Sequence, residues 1–127
     1  MLIFIVIVIL LFIAGSFFFR QKNSYQDVSI EDAKMLVENN PYLVVIDASP
    51  YYAQGHILGA VNYYVGDGSL DEVIPKLDKN KEYLVYCHTN EASIEAAKKL
   101  AEAGLIVYRL DGGYQAWLEA EYPVEEP

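Results

Sequence analysis

The first nineteen residues, Met1 to Phe19, carry no charge, and seventeen of them are apolar. Few structures accept such a run. As a helix it would rise roughly 28 Å at about 1.5 Å per residue, close to the roughly 30 Å hydrocarbon core of a bilayer. It reads as a single transmembrane anchor over residues 1–19, followed by a short polar linker over 20–24 and a domain over 25–127. The competing reading is a signal peptide cut after Ser16, with Ala14 and Ser16 as its small residues. Against it, no Lys or Arg precedes the run, and Phe17 to Phe19 continue it past the cut. Arg20 and Lys22 weigh against one terminal amine, so the positive-inside rule places the domain on the cytoplasmic side of a membrane; an extracytoplasmic placement stays open.

Whole-chain totals blend two different objects. All five phenylalanines lie in the apolar run, and without it the apolar fraction falls from 54% to about 48%, ordinary for a soluble domain. From Asn23 onward seven Lys and Arg face eighteen Asp and Glu, a net charge of −11. A domain of about 100 residues holds one core. Its acidity repels phosphate backbones, so no nucleic-acid partner is expected. The single cysteine, Cys87, excludes an internal disulfide, and His56 and His88 lie too far apart in the chain for zinc-ligand spacing. Neither a metal nor a cofactor is expected.

The domain alternates helix and strand patterns. Ser29-Ile-Glu-Asp32 reads as a capping box opening a helix to about Glu38, with Ile30, Ala33, Leu36 and Val37 on one face. Leu43 to Ile46 is a strand-length apolar run ending at Asp47. Ala60 to Val65 is a candidate strand, and Ser69 to Leu77 a short helix interrupted by Pro75. Tyr83 to Cys87 is a second apolar strand. Ser93 to Ala103 has the strongest helix composition, with Gly104 suited to a left-handed closing position. Ile106 to Leu110 is the last strand, and Gly113 to Ala120 a final helix carrying Trp117. Strands apolar at consecutive positions must be covered on both faces, so the pattern predicts an α/β fold with a mostly parallel sheet.

In such sheets ligands bind beyond the carboxyl ends of the strands. Two apolar strands end there in a polar residue, Asp47 and Cys87. After Cys87 come His88, Thr89, Asn90, Glu91 and Ala92, and the best helix is expected from Ser93. A short loop between strand and helix can converge backbone N–H groups on one point, where the helix dipole adds partial positive charge. A thiolate there would be stabilised and nucleophilic at neutral pH. The plain alternative is a buried, inert cysteine at a strand end.

Residues 25 to 124 resemble the rhodanese (sulfurtransferase) family. Val44-Val45-Ile46-Asp47 is similar to the family's strand ending in aspartate. The stretch Tyr52-Ala-Gln-Gly55-His56-Ile57-Leu-Gly59-Ala60-Val-Asn62 matches its Y-x-x-G-H-I-x-G-A-x-N signature. Tyr83-Leu-Val-Tyr-Cys87 resembles the strand that presents the nucleophile. Leu110-Asp-Gly112-Gly113-Tyr-Gln-Ala-Trp117 is similar to the L-x-G-G-x-x-x-W segment, and Tyr122-Pro123-Val124 to the closing tripeptide. The resemblance implies a five-stranded mostly parallel sheet with helices on both faces, preceded here by one transmembrane helix. It also implies that Cys87 takes a sulfane sulfur from a small sulfur donor or protein persulfide, holds it as a persulfide, and passes it to a thiol acceptor. Backbone N–H groups of residues 88 to 93 (His88, Thr89, Asn90, Glu91, Ala92 and Ser93) would bind the charged sulfur as an oxyanion hole binds oxygen.

Three positions depart from the family pattern. Asn90 stands where glycine is frequent, and its tolerance of positive φ would preserve the turn. Ala92 replaces a frequent arginine, with Glu91 adding a carboxylate beside it. Ser49 stands two residues after Asp47, where arginine is frequent. A loop with no cation and an extra carboxylate binds the thiosulfate dianion poorly, which points to a polysulfide or protein persulfide donor. The nearest basic residues along the chain are Lys98 and Lys99, so an arsenate reductase is not expected. A phosphatase would need arginine where Ser93 stands. The remaining rival is a catalytically silent, membrane-tethered interaction module.

Asp47 is expected to order neighbouring loops as a hydrogen-bond acceptor, and His56 to fix its glycine-bounded turn rather than act as a base. His88, beside the nucleophile, has the better claim to assist it, unless its side chain projects outward. Trp117 reads as core. Of Tyr63 and Tyr64, adjacent on the candidate strand, at least one should face a surface or cleft.

Overall fold

The computed structural model describes residues 24–127. The anchor expected over residues 1–19 and all of the 20–24 linker except Ser24 lie outside the described residues, among which no helix is long and apolar enough to cross a membrane.

The elements run β1 (Gln26–Val28), α1 (Ile30–Asn39), β2 (Leu43–Asp47), β3 (His56–Ile57), β4 (Val61–Asn62), α2 (Ser69–Val73), β5 (Glu82–Tyr86), α3 (Glu91–Glu102), β6 (Ile106–Leu110), α4 (Gly113–Glu119) and β7 (Val124–Glu125). Five strands form one sheet in the order β1-β6-β5-β2-β4, and every neighbouring pair is parallel. A separate antiparallel ribbon pairs His56 of β3 with Glu125 of β7, and Ile57 with Val124.

The single core expected for a domain of this size is divided by the sheet into two apolar layers, because strand alternation sends side chains to both faces. Ile46, Tyr83, Val85 and Val107 face one side, where α2 and α3 cover them with Leu70, Ala96, Ala97, Leu100 and Ala101. Val45, Leu84, Tyr86 and Leu110 face the other, against Ala33 of α1 and Tyr114 and Trp117 of α4. Helices therefore lie on both faces, as consecutive apolar positions in β2 and β5 require.

Local signals explain several element ends. Ser29 caps α1, its Oγ accepting from the Asp32 N–H at 3.2 Å. Past α3, Gly104 takes a φ of +87°, and the next N–H, of Leu105, returns to the Leu100 carbonyl at 3.3 Å. Pro75 lies in a 3-10 turn (Ile74–Lys76) that ends α2 early. Trp117 is 1% exposed and donates its Nε1–H to the Pro123 carbonyl at 3.0 Å, which docks the chain entering β7.

Three expectations need correction. Ile106–Leu110 is not the last strand, since β7 follows it and closes the ribbon with β3. The strand expected over 60–65 is only Val61–Asn62, because it lies at the sheet edge and pairs with just Ile46 and Asp47. Helix α3 begins at Glu91 rather than Ser93, so the loop after Cys87 is only His88-Thr89-Asn90. β1 gave no periodic signal, being three residues of which two are polar; it forms by addition to β6, in the register Gln26 to Tyr108, Asp27 to Arg109 and Val28 to Leu110.

Candidate active site

The chain leaves β2 toward β4 on one side, and leaves β5 toward β6 and β1 on the other. The carboxyl ends of β2 and β5 thus flank the point where the winding reverses, where α/β sheets form their crevices. Asp47 and Tyr86 are direct partners there, and the Ala48 N–H donates to the Tyr86 carbonyl at 2.8 Å. Cys87 follows Tyr86 at this point, 3% exposed, with the free thiol just past the strand end.

The loop backbone is oriented from outside. The Cys87 carbonyl accepts from the Tyr114 N–H at 2.8 Å, and the His88 carbonyl from the Gln115 N–H at 3.3 Å, both donors in the first turn of α4. In a planar trans peptide the next N–H points opposite to the carbonyl. The N–H groups of His88 and Thr89 are therefore turned away from α4. Gly113 allows this approach: a Cβ there would stand 2.5 Å from the Cys87 carbonyl oxygen and 2.8 Å from that of His88, and its φ is +64°. The second glycine of the Gly112-Gly113 pair is thus needed for closeness as well as conformation.

On the other side the first turn of α3 supplies free donors. The Ser93 N–H reaches Cys87 Sγ at 3.3 Å. Among the described residues, no bond is made by the N–H groups of residues 88 to 92. Glu91 and Thr89 are exposed, Ala92 is half-buried, and Ser93 is fully buried, its Oγ donating to the Asn90 carbonyl at 2.8 Å.

Asn90 does not play the part expected of it. Its φ is −137°, so the turn uses no left-handed residue there. Instead its side chain is a connector, with Oδ1 accepting from Arg109 Nη1 at 2.8 Å and from the Gly112 N–H at 3.1 Å. Arg109, from β6, also donates through Nη1 to Ser93 Oγ at 3.3 Å and through Nε to Asp27 Oδ1 at 2.7 Å, with Asp111 at 3.5 Å from Nη2. Burial works against its charge, and Asp27 more than offsets that, so its pKa rises and it stays protonated. A cation therefore does stand behind the loop, although none is near in sequence. One signal was available: Arg109 is the single charge in Ile106-Val-Tyr-Arg-Leu110, a strand with little room for an unpaired cation.

Asp47 is wholly buried. Its Oδ1 accepts from the Ser49 N–H at 2.8 Å, and its Oδ2 from the Tyr86 hydroxyl at 3.3 Å. That hydroxyl in turn accepts the Ile57 N–H at 3.0 Å, tying β3 to the residue before the cysteine. Ser49 is buried too, and its Oγ accepts from the Tyr51 N–H at 3.1 Å.

His56 belongs to the β3–β7 ribbon with both ring nitrogens engaged, Nδ1 with the Tyr52 carbonyl at 3.0 Å and Nε2 with Glu125 at 2.7 Å. It also stacks on Tyr52, with ring centroids 3.7 Å apart. The His88 ring lies between Tyr51 at 4.8 Å and Tyr114 at 5.3 Å, and its Nε2 is buried with no hydrogen-bond partner among the described residues. Tyr51 and Tyr114, as neighbours of the loop, carried no advance signal. Tyr63 lies past the shortened strand and packs partly on the α2–α3 core. Among the described residues no group of His, Cys, Asp and Glu could hold a metal ion.

Comparison with known proteins agrees with this architecture. The family model for the rhodanese-like domain matches residues 29–120. A thiosulfate sulfurtransferase, GlpE, of Pseudomonas fluorescens is 33% identical over 104 residues, 81% of this chain and 93% of that protein. The solution structure of a rhodanese-like domain from an Anabaena protein superposes with a TM-score of 0.71 at 28% identity, covering 80% of this chain and 79% of that one. A rhodanese-related protein of Thermoplasma volcanium gives a TM-score of 0.68 at 30% identity, covering 80% and 98%.

Proposed function

The chain belongs to the rhodanese-like family, and on that premise we propose that it is a sulfurtransferase or persulfide carrier working through Cys87. The observation that carries this reading is the Ser93 N–H at 3.3 Å from Cys87 Sγ, at the mouth of a twelve-residue helix whose first two N–H groups, of Glu91 and Ala92, make no bond among the described residues. Donors so arranged favour an anion on sulfur over a neutral thiol.

Transfer then proceeds in two balanced displacements. The Cys87 thiolate attacks the outer sulfane sulfur of a donor R–S–S⁻; a new S–S bond forms at Cys87, the donor S–S bond breaks, and RS⁻ leaves with the electron pair. An acceptor thiolate next attacks the outer sulfur of the Cys87 persulfide and carries it away, regenerating the Cys87 thiolate. Neither step needs an outside oxidant or reductant, a metal or a general base.

The donor is a polysulfide or a protein persulfide rather than thiosulfate. Ala92 offers no charge, Glu91 is an exposed carboxylate at the same helix start, and Arg109 is shared with Asp27. Arg109, its side chain only 5% exposed, acts from behind the loop and cannot pair directly with the sulfonate oxygens of thiosulfate, whereas the single terminal sulfur of a persulfide or polysulfide chain needs only the loop donors. Residues 1–19, uncharged and apolar at seventeen of nineteen positions, tether the domain to a membrane, and Arg20 and Lys22 favour the cytoplasmic side.

Mass spectrometry of the full chain in detergent tests this reading. After exposure to polysulfide it should gain one sulfur atom, removable by thiol and lost in Cys87→Ala. Absence of the adduct would leave a silent interaction module. Turnover with thiosulfate as efficient as with polysulfide would overturn the donor assignment.

A further inference from the structure

We propose that Arg109 is a positioning residue for this reaction: from β6 it holds the Cys87 loop in its anion-binding shape and lends that loop the positive potential its own sequence omits. The inference rests on the reading of Cys87 as the sulfur-carrying nucleophile.

Two hydrogen-bond routes lead from Arg109 to the site. Through Nη1 it reaches Asn90 Oδ1 at 2.8 Å, and Asn90 also binds the Gly112 N–H, so the guanidinium clamps the last loop residue against the start of α4. The same Nη1 reaches Ser93 Oγ at 3.3 Å, and it is the Ser93 N–H that meets Cys87 Sγ. Arg109 is thus one residue from the sulfur on the second route.

The charge balance is asymmetric. The Arg109 side chain is 5% exposed, whereas those of its carboxylate partners Asp27 and Asp111 are 56% and 66% exposed. Water screens the two carboxylates and cannot reach most of the guanidinium. The carboxylate bonds sit at Nε and Nη2, while the loop sees Nη1. The net potential toward Asn90 and Ser93 is therefore positive. This gives Asn90 a function in place of the frequent glycine: a glycine there could not receive the guanidinium.

Other charged or titratable groups around the loop are Glu91 on α3, His88 in the loop, Asp47 from β2 with Tyr86 of β5, Tyr51, and Tyr114 of α4. The variants below leave all of them in place.

The test is the pH dependence of Cys87 alkylation by iodoacetamide, a neutral probe, in the full chain in detergent. Arg109→Gln should move the alkylation midpoint up by about one pH unit and lower kcat/KM with polysulfide about tenfold. Asp27→Asn removes the strongest anchor of Arg109 but also a negative charge, and should move the midpoint down or leave it. A bracing role alone predicts that both substitutions loosen the loop and move the midpoint up together. A midpoint that does not rise in Arg109→Gln, or one that rises in both variants, overturns the proposal. Should Arg109→Gln not fold, the double variant Asn90→Gly with Ser93→Ala carries the test: it leaves Arg109 in place and keeps the Ser93 N–H, but removes both side-chain contacts through which Arg109 reaches the site, and an unmoved midpoint there is equally fatal. Alkylation needs no sulfur transfer, so failure of the sulfurtransferase reading would show separately as absence of a persulfide in the unsubstituted chain.

Discussion

The Tyr86 hydroxyl donates to Asp47 Oδ2 at 3.3 Å while accepting the Ile57 N–H at 3.0 Å, so the residue before Cys87 joins two neighbouring parallel strands to a third, separate one. All three residues are fully buried. Burial, and secondarily the Asp47 carboxylate, raise the Tyr86 pKa far above that of a free phenol, so it acts as a neutral donor at any working pH. Tyr86→Phe leaves the Ile57 N–H and one Asp47 oxygen without partners in a dry site. The expected loss is about 1–3 kcal/mol of stability, read from urea unfolding. Because the cysteine is untouched, persulfide loading per folded molecule should fall by less than about tenfold.

Gly113→Ala should be more damaging to function than its size suggests. The added Cβ would meet the carbonyls of Cys87 and His88 at 2.5 and 2.8 Å, at a φ of +64°. Overpacking of this kind costs about 1–3 kcal/mol, and relief can come only by moving the loop that presents the sulfur. Melting temperature and persulfide yield measured on one sample check this, the yield falling even at temperatures where the variant is fully folded.

His88 sits between the rings of Tyr51 and Tyr114, its buried Nε2 without a hydrogen-bond partner among the described residues. His88→Phe keeps a ring in the slot and removes the orphaned nitrogen. Stability should be unchanged or rise by up to about 1 kcal/mol, and sulfur transfer should stay within threefold of the unsubstituted chain. A hundredfold fall in kcat with unchanged stability would instead give the imidazole a part in the chemistry.

Alkaline conditions should unfold the domain in a predictable window. Burial, followed by the Glu82 contact at 2.7 Å, pushes Tyr108 up to about 12, from 10.0 for a free tyrosine; burial also raises Tyr83 and Tyr114. Above pH 10 the unfolded chain loses these protons first, so the native state binds more of them and stability declines as pH rises. Below pH 10 the contribution is fully present. Tyr108→Phe should flatten the decline between pH 10 and about 12 by up to one proton's worth of slope, measured by urea unfolding at stepped pH.

Along the chain, the residues that alternate or repeat were legible. Consecutive apolar positions in Leu43–Ile46 and Tyr83–Tyr86 imply a sheet covered on both faces, and the cores on either side of β2 and β5 are formed by those side chains. Ser29, Gly104 and Pro75 mark element ends because each acts on its own backbone within a few residues. Cys87 could be placed at a strand end by the same local means.

What local pattern could not provide was decided by contacts between distant segments. β1 has too few apolar residues to announce itself, and exists because β6 offers it an open edge. Asn90 was read as a turn residue, yet its side chain is committed to Arg109, nineteen residues on, and to Gly112. Above all, the loop looks devoid of cations along the chain because hydrogen bonding and Coulomb attraction act through space, and parallel strand order brings β6 beside β5. The sequence determined that this chain forms a two-faced parallel sheet with one cysteine at a strand end. Apart from the nearby Ser93 N–H, only the tertiary structure decided what surrounds that cysteine, since Tyr114, Gly113 and, behind the loop, Arg109 come from elements distant in the chain.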